Sequence, residues 1–473
     1  MSHTAKTREK NIDMINGSIA GGMLLLGAPL MLSNVLQVLF NMSDIAVVGR
    51  FAGNGALGSV GSTSILVTLF TGMLIGLGCG INVAVAQCIG AGRRDETSKC
   101  VTTCAFSALV FGLIMTAFAN AIITPVLALL STKPEFMDGA VLYLRIYSFG
   151  FPALAVYNFG NAVFSAGGDT KKPLAVLTVS GIINVLLNLF FVIVCDMSVD
   201  GVAYASIISQ YISAAVVVML LVRSRTVYRL ELKKSNLSSR YIGRVSALGL
   251  PAAIQNSIFA IANLFIQMSI NSFDSVMVEG NSAAANADAL VYDIMAAFYT
   301  AGASFIGQNF GARKRKRILK SYLLSIAYPF GAAAIIGVLL VLFGRQFLAI
   351  FTPDPAVVDA GMQKLMIMSF SYAISAFMDA TIAASRGIGK SLMPTVIVVA
   401  GSCVFRIIWI YTVFAAFRTV PSLYLLYPVS WTLTAAAEIA YFMRAYRKLT
   451  RSFDECQQPL LSERSGRKSD ISA

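Results

Sequence analysis

About twelve stretches of this 473-residue chain are apolar over near-spanning length, and they decide the class of fold. They run roughly 19–46, 56–86, 101–124, 139–166, 174–195, 201–222, 247–271, 286–309, 321–344, 361–385, 393–415 and 423–446. A helix needs about 20 apolar residues to cross a bilayer core. In lipid every backbone N–H and C=O needs a partner inside its own segment, so each stretch is predicted to be a helix. The short alternating strands of a membrane barrel are absent. Composition agrees: 13% of residues are charged, against about 25% in soluble domains. The expected fold is therefore an all-α polytopic membrane protein.

The chain also repeats itself. Leu26-Gly27-Ala28-Pro29, with Asn34 five residues on, returns as Leu248-Gly249-Leu250-Pro251 with Asn256. Gln87, Gly90 and Ala91 return as Gln308, Gly311 and Ala312. Gly167, Pro173 and Ser209 return as Gly387, Pro394 and Ser430. Ordered matches at a nearly constant offset of about 221 residues indicate a duplicated unit. Two pseudo-symmetric six-helix bundles are a plan used by secondary transporters, and even-numbered halves keep the same orientation. The chain divides into an N-terminal segment 1–18, a first lobe 19–222, a basic linker 223–246, a second lobe 247–446 and a polar tail 447–473 expected to be disordered.

Charge sets the expected topology. With the N-terminus inside, thirty Lys and Arg fall in inward segments and six in outward ones, among them Lys364. Such a bias places both termini in the cytoplasm, of a plasma (cytoplasmic) membrane. Residues 1–18 are polar and the first apolar run is too long for a signal peptide. The basic run Arg313 to Arg317 reads as a juxtamembrane stop that attracts anionic lipid, and no nucleic-acid partner is expected. His3 is the one histidine, and none of the seven cysteines forms a C-x-x-C pair. That excludes a zinc site or a His-based triad, and no enzyme activity or cofactor is expected.

Polar side chains in a span tend to face a cavity or another helix. In the first helix Asn34, Gln37, Asn41 and Asp44 form one stripe, and in the seventh Asn256, Asn263, Gln267 and Asn271 form another. The repeat maps Asn34 onto Asn256 and Asn41 onto Asn263. The favoured reading sets the two stripes across a central cleft; the alternative is that the amides join helices. Asp44 has no carboxylate counterpart, because Ile266 stands there. A carboxylate in low dielectric binds a proton or a cation, so Asp44 is a candidate H⁺ or Na⁺ site. The alternative is a solvated group or a pair with Arg50. Asn184 and Asn188, four apart in the fifth helix, can line the lobe beside Asp44. Asp379 faces the reverse asymmetry, with Asn158 as its counterpart; a contact to substrate or a pairing with Arg386 are both open. Asp288 and Asp293 can be a solvated helix entry or part of the site. Glu438 and Arg406 read as an interhelical pair or as snorkelling side chains. Tyr157 and neighbouring aromatics can wall a pocket for an organic cation.

Taken together, these residues resemble a family. The run Asn41-Met42-Ser43-Asp44-Ile45-Ala46-Val47-Val48-Gly49-Arg50-Phe51-Ala52-Gly53 is similar to the end of the first helix in bacterial MATE (multidrug and toxic compound extrusion) transporters. Gln87-Cys88-Ile89-Gly90-Ala91-Gly92, its echo at Gln308 to Ala312, Gly167 to Pro173 and Gly201 to Ser206 fit as well. The resemblance covers nearly all of 19–446. It implies a V-shaped pair of six-helix bundles that exports bulky, often cationic compounds in exchange for H⁺ or Na⁺. It also implies cation coupling at Asp44 in the first lobe. Where many members carry Asp, this chain has Asn188, one carboxylate fewer. A lipid-linked saccharide flippase of related fold is the alternative; it calls for several Arg or Lys within the cleft. The protein is expected to act as a monomer, with a small organic molecule and the bilayer as its partners.

Overall fold

The computed structural model describes residues 12–52, 55–130 and 132–469, and the elements among them are all helical. The first lobe holds α1 (Ile19–Phe51), α2 (Ala56–Gly90), α3 (Arg94–Leu129), α4 (Pro134–Ser148), α5 (Phe151–Ala166), α6 (Lys171–Val194) and α7 (Val199–Arg223). The second holds α8 (Ser239–Ile270), α9 (Ser275–Gly311), α10 (Arg315–Ala349), α11 (Pro355–Gly387), α12 (Leu392–Phe417), α13 (Val420–Tyr424) and α14 (Leu426–Ser469). Ten helices are long and apolar enough to cross a membrane, and the bent pair α4 and α5 makes an eleventh span. The expected twelfth, 423–446, begins at the end of α13 and runs mostly in α14.

Differences from the expected boundaries have local causes. The span expected at 139–166 is two helices bent by 49°, broken before Pro152. A proline donates no N–H, so Pro152 cannot bond back to the Ser148 carbonyl and sits in the first turn of a new helix. The linker is shorter than expected because α8 already starts at Ser239, which puts Arg240 and Arg244 on a helix. Lys364, counted with the outward charges near a helix end, lies well inside α11, since Pro355 starts that helix and Asp354 caps it through Ala356 N. The tail expected to be disordered continues α14 through Ser469. Extending an existing helix needs no new nucleus. Residues 470–473 and His3 lie outside the described residues.

Glycines set how closely the lobes pack. A Cβ on Gly76 would sit 2.4 Å from the backbone N of Ala253, and one on Gly80 2.4 Å from that of Gly249. The small-residue face of α2 is thus buried directly against the backbone of α8. Inward of Gly76, α2 is almost wholly buried, and so is α9 from Ala297 to Asn309; their outer halves alternate between buried and exposed. The lobes are therefore packed together along their inner halves.

The segment before α1 fastens this inner end. Met14 is fully buried. Its carbonyl accepts from Asn309 Nδ2 at 3.1 Å and Arg317 Nη2 at 3.0 Å, while Lys314 Nζ reaches the Ile15 carbonyl at 3.1 Å. On the other side, Ile12 N donates to Gly168 O at 3.4 Å. The strap's own turn is held by Asp13, whose carboxyl accepts the backbone N–H of Asn16 and Ile15 and is kept below the ordinary carboxylate range.

Candidate functional site

Two pairs of crossed hydrogen bonds join the lobes, and each obeys the repeat. At mid-depth, Asn34 Nδ2 donates to Asp293 O and Asn256 Nδ2 donates to Gly72 O, both at 2.8 Å. Donors 34 and 256 are repeat partners, and so are acceptors 72 and 293. At the inner end, Gln87 Nε2 donates to Gly387 O at 2.7 Å and Gln308 Nε2 to Ala166 O at 2.6 Å. There Gly90 packs on the Gln308 carbonyl and Gly311 on the Gln87 carbonyl, each with a would-be Cβ about 2 Å from the oxygen. Arg244 Nη2 also reaches Gln87 Oε1. These contacts close the inner half of the lobe interface. Asn34 and Asn256, read from the sequence as cleft-lining, spend their amides on the opposite lobe. The outer members of the stripes, Gln37, Asn41, Asn263 and Gln267, are exposed, and Gln267 Nε2 donates to Asn271 Oδ1 at 2.9 Å.

About three turns outward of Asn34 along α1, the first lobe holds a carboxylate among amides. Gly181 lets α6 approach α1: a Cβ there would lie 2.0 Å from the Phe40 ring. The next turns of α6 then bring Asn184 and Asn188 to Asp44. Asn188 Nδ2 donates to Asp44 Oδ1 at 2.5 Å and lies 3.4 Å from Asn184 Oδ1. Asn188 is fully buried, Asn184 nearly so. The Asn188 carbonyl oxygen is buried and has no hydrogen-bond partner. Arg50 is exposed at the helix end, and the carboxyl's bond goes to Asn188. Carboxylate and amide oxygens of this kind suit a hard monovalent cation, or a proton shared on Asp44. Among the described residues no three His, Cys, Asp or Glu side chains gather in a metal-holding group.

Asn158 stands apart from both features. It packs on Gly78 of α2, and its Nδ2 is buried without a partner; Tyr157 beside it is buried.

The second lobe carries more charge and arranges it differently. Asp379 does not pair with Arg386, whose Nη2 donates to Gln255 Oε1 at 2.9 Å. Arg406 does not pair with Glu438. It lies 4.6 Å from the Tyr427 ring centroid, with Trp431 and Phe259 beside it, and its Nε donates to Ser430 at 3.1 Å. Two π-helical turns, Val399–Val404 and Ile410–Phe414, flank Arg406 and rotate it into this aromatic box. Glu438 is fully buried, and neither carboxylate oxygen accepts a hydrogen bond.

The feature missed in the sequence is the pairing of Asp288 with Lys364. Asp288 Oδ2 lies 2.6 Å from Lys364 Nζ, and the carboxylate also accepts from the Tyr372 hydroxyl. Lys364 sits over the Tyr424 ring at 5.7 Å. By the repeat, Lys364 stands where Tyr143 stands in the first lobe. The available signal was Asp354-Pro355, a helix start ten residues earlier that carries Lys364 into the span.

Comparison with known proteins fits this architecture. The MatE family profile matches residues 29–190 and 251–412, one match in each lobe. A probable multidrug resistance protein, YpnP of Bacillus subtilis, is 27% identical over 366 residues, covering 77% of this chain and 81% of that protein. A FAD transporter of Shewanella oneidensis is 20% identical over 364 residues, covering 76% and 80%. A solved outward-facing conformation of a multidrug resistance MATE family transporter superposes with a TM-score of 0.86 at 20% identity, over 93% of this chain and 99% of that one. With its two lobes, its many apolar spans and one family match in each half, the chain is a multi-pass membrane protein and belongs to the MatE family of transporters.

Proposed function

We propose that the protein is a secondary active antiporter that exports bulky, cationic organic compounds in exchange for H⁺ or Na⁺. The observation that carries this reading is the Asp44 carboxylate held by buried Asn188, outward of a closed inner seam. In this reading the inner side is cytoplasmic, the membrane is the plasma membrane, both termini lie inside and the protein works as a monomer.

Asp44 takes the ion from outside. Asn188 holds the carboxyl at α6, and binding changes how α1 packs on α6 through the Gly181–Phe40 contact. Substrate leaves between the outer halves, where exposed Gln37, Asn41, Asn263 and Gln267 are solvated by water. The crossed pairs Gln87–Gly387 and Gln308–Ala166 then part, the inner side opens, the ion departs and cationic substrate binds. The ion drives the cycle only by its different affinity for the two states. The flippase alternative needs cations presented in the cleft; Arg406 is enclosed by aromatic rings and Ser430, Arg386 bonds Gln255 and Lys364 pairs with Asp288, so each is already engaged.

The test is transport in sealed vesicles with an imposed ΔpH or ΔNa⁺, using a panel of organic cations with FAD as an anionic comparison. Cation efflux driven by either gradient, and lost in Asp44→Asn, supports the proposal. Gradient-driven export of FAD alone, or unimpaired cation export by Asp44→Asn, overturns it.

A further inference from the structure

A cavity of about 640 Å³ opens on the flank of the first lobe between α3, α5 and α7, away from the lobe interface. That is the volume range of small-molecule sites, about 300–1,000 Å³, but its walls are nearly all hydrocarbon. Leu113, Pro152, Ala215 and Met219 are among them, with Tyr211 on the wall and Arg223 at one end. The groove follows from the helix break. Pro152 starts α5 at an angle to α4, and small residues on α7 leave a trough beside it. A Cβ on Gly112 would lie 2.6 Å from Pro152 Cα, so α3 and α5 touch there. The Tyr211 hydroxyl is occupied by the Phe149 carbonyl at 3.0 Å, on the residue that ends α4, leaving its ring as wall.

Length and charge name the occupant. From Tyr211 to Arg223 α7 rises about 18 Å, against about 15 Å for half a bilayer core. The groove therefore spans one leaflet, from mid-membrane to the interface. Arg223 ends α7 on the basic side of the protein and is exposed. Among the described residues its guanidinium has no hydrogen bond or ion pair. We infer that this groove binds one anionic phospholipid of the inner leaflet, an acyl chain lying between α3, α5 and α7 and the phosphate on Arg223.

Native mass spectrometry of the full-length, delipidated protein tests this, with phosphatidylglycerol or phosphatidylcholine added back. The wild type should retain one phosphatidylglycerol at about fivefold lower lipid concentration than phosphatidylcholine. Ala215→Trp, which fills the trough, should lose that retained lipid. Arg223→Gln should keep a bound lipid and lose the preference. Leu339→Trp, on the exposed face of α10, should behave as wild type. Equal retention of both lipids by the wild type overturns the inference. So does wild-type behaviour of Ala215→Trp, or equal loss in Leu339→Trp. None of these readings depends on transport, so they stand apart from the test of antiport.

Discussion

Asn188 and Asp44 are joined by a 2.5 Å hydrogen bond that ties α6 to α1. A hydrogen bond to a charged group contributes about 1.5–3 kcal/mol. That bond stabilises the ionised, ion-free carboxylate, so Asn188→Leu should shift the ion concentration for half-maximal efflux by roughly 10- to 100-fold, downward where the ion is H⁺. Asp44→Asn should abolish gradient-driven efflux at unchanged membrane abundance. Efflux titrated against external pH and Na⁺ checks both. An Asn188→Leu variant with the wild-type ion dependence would break the link between this bond and coupling.

The crossed mid-depth bonds should act as a matched pair. Asn34→Ala and Asn256→Ala each remove one 2.8 Å bond between lobes. Each should destabilise the inner-closed state by about 0.5–1.5 kcal/mol, and the double variant by about the sum. Thiol labelling of a cysteine placed at the inner seam reads the population. Opposite effects in the two single variants would contradict the pseudo-symmetry of the contact.

Gly90 and Gly311 should be far less forgiving. A methyl on either would lie about 2 Å from a carbonyl of the opposite lobe. Overpacking of this kind costs about 1–3 kcal/mol, and here the strain exists only while the inner side is closed. Gly90→Ala and Gly311→Ala should insert normally yet label readily from the inner side. Slow labelling in both would refute the closure.

Lys364 and Asp288 form an ion pair whose lysine side chain is 6% exposed and whose aspartate is 33% exposed. Removing one partner of a buried pair costs about 3–5 kcal/mol, and the open side of Asp288 places this one at the lower end. Lys364→Met should lower the melting temperature of detergent-purified protein, and Lys364→Met with Asp288→Asn should recover most of it. A double variant as unstable as the single would show that Lys364 matters through packing alone.

Much of the scaffold was legible because the membrane allows few answers. Apolar length gave the spans, and the repeat gave the lobes. The same repeat pairs Gln87 with Gln308 and Asn34 with Asn256, although the sequence does not say that they bond across the seam rather than line a cleft. Asp44 was legible as a carboxylate without a counterpart, and Asn184 and Asn188 as one face of a helix. What stayed hidden were contacts set by helix rotation. The π-helical turns that put Arg406 among rings, and the proline start that buries Lys364, change which side chains face each other without altering the apolar pattern. Of the readings left open for Arg386 and Arg406, neither ion pair forms: Arg386 bonds Gln255 and Arg406 sits among aromatic rings.

Lys364 standing where the first lobe has Tyr143 makes the two halves electrically unequal. The second lobe owns its cation: the ammonium beside Asp288 is tethered by a covalent chain and travels with the protein. The first lobe carries an aromatic ring there instead. If the antiport proposed for Asp44 holds, the charge of that lobe is set by whichever solution it faces, while that of the second lobe stays fixed.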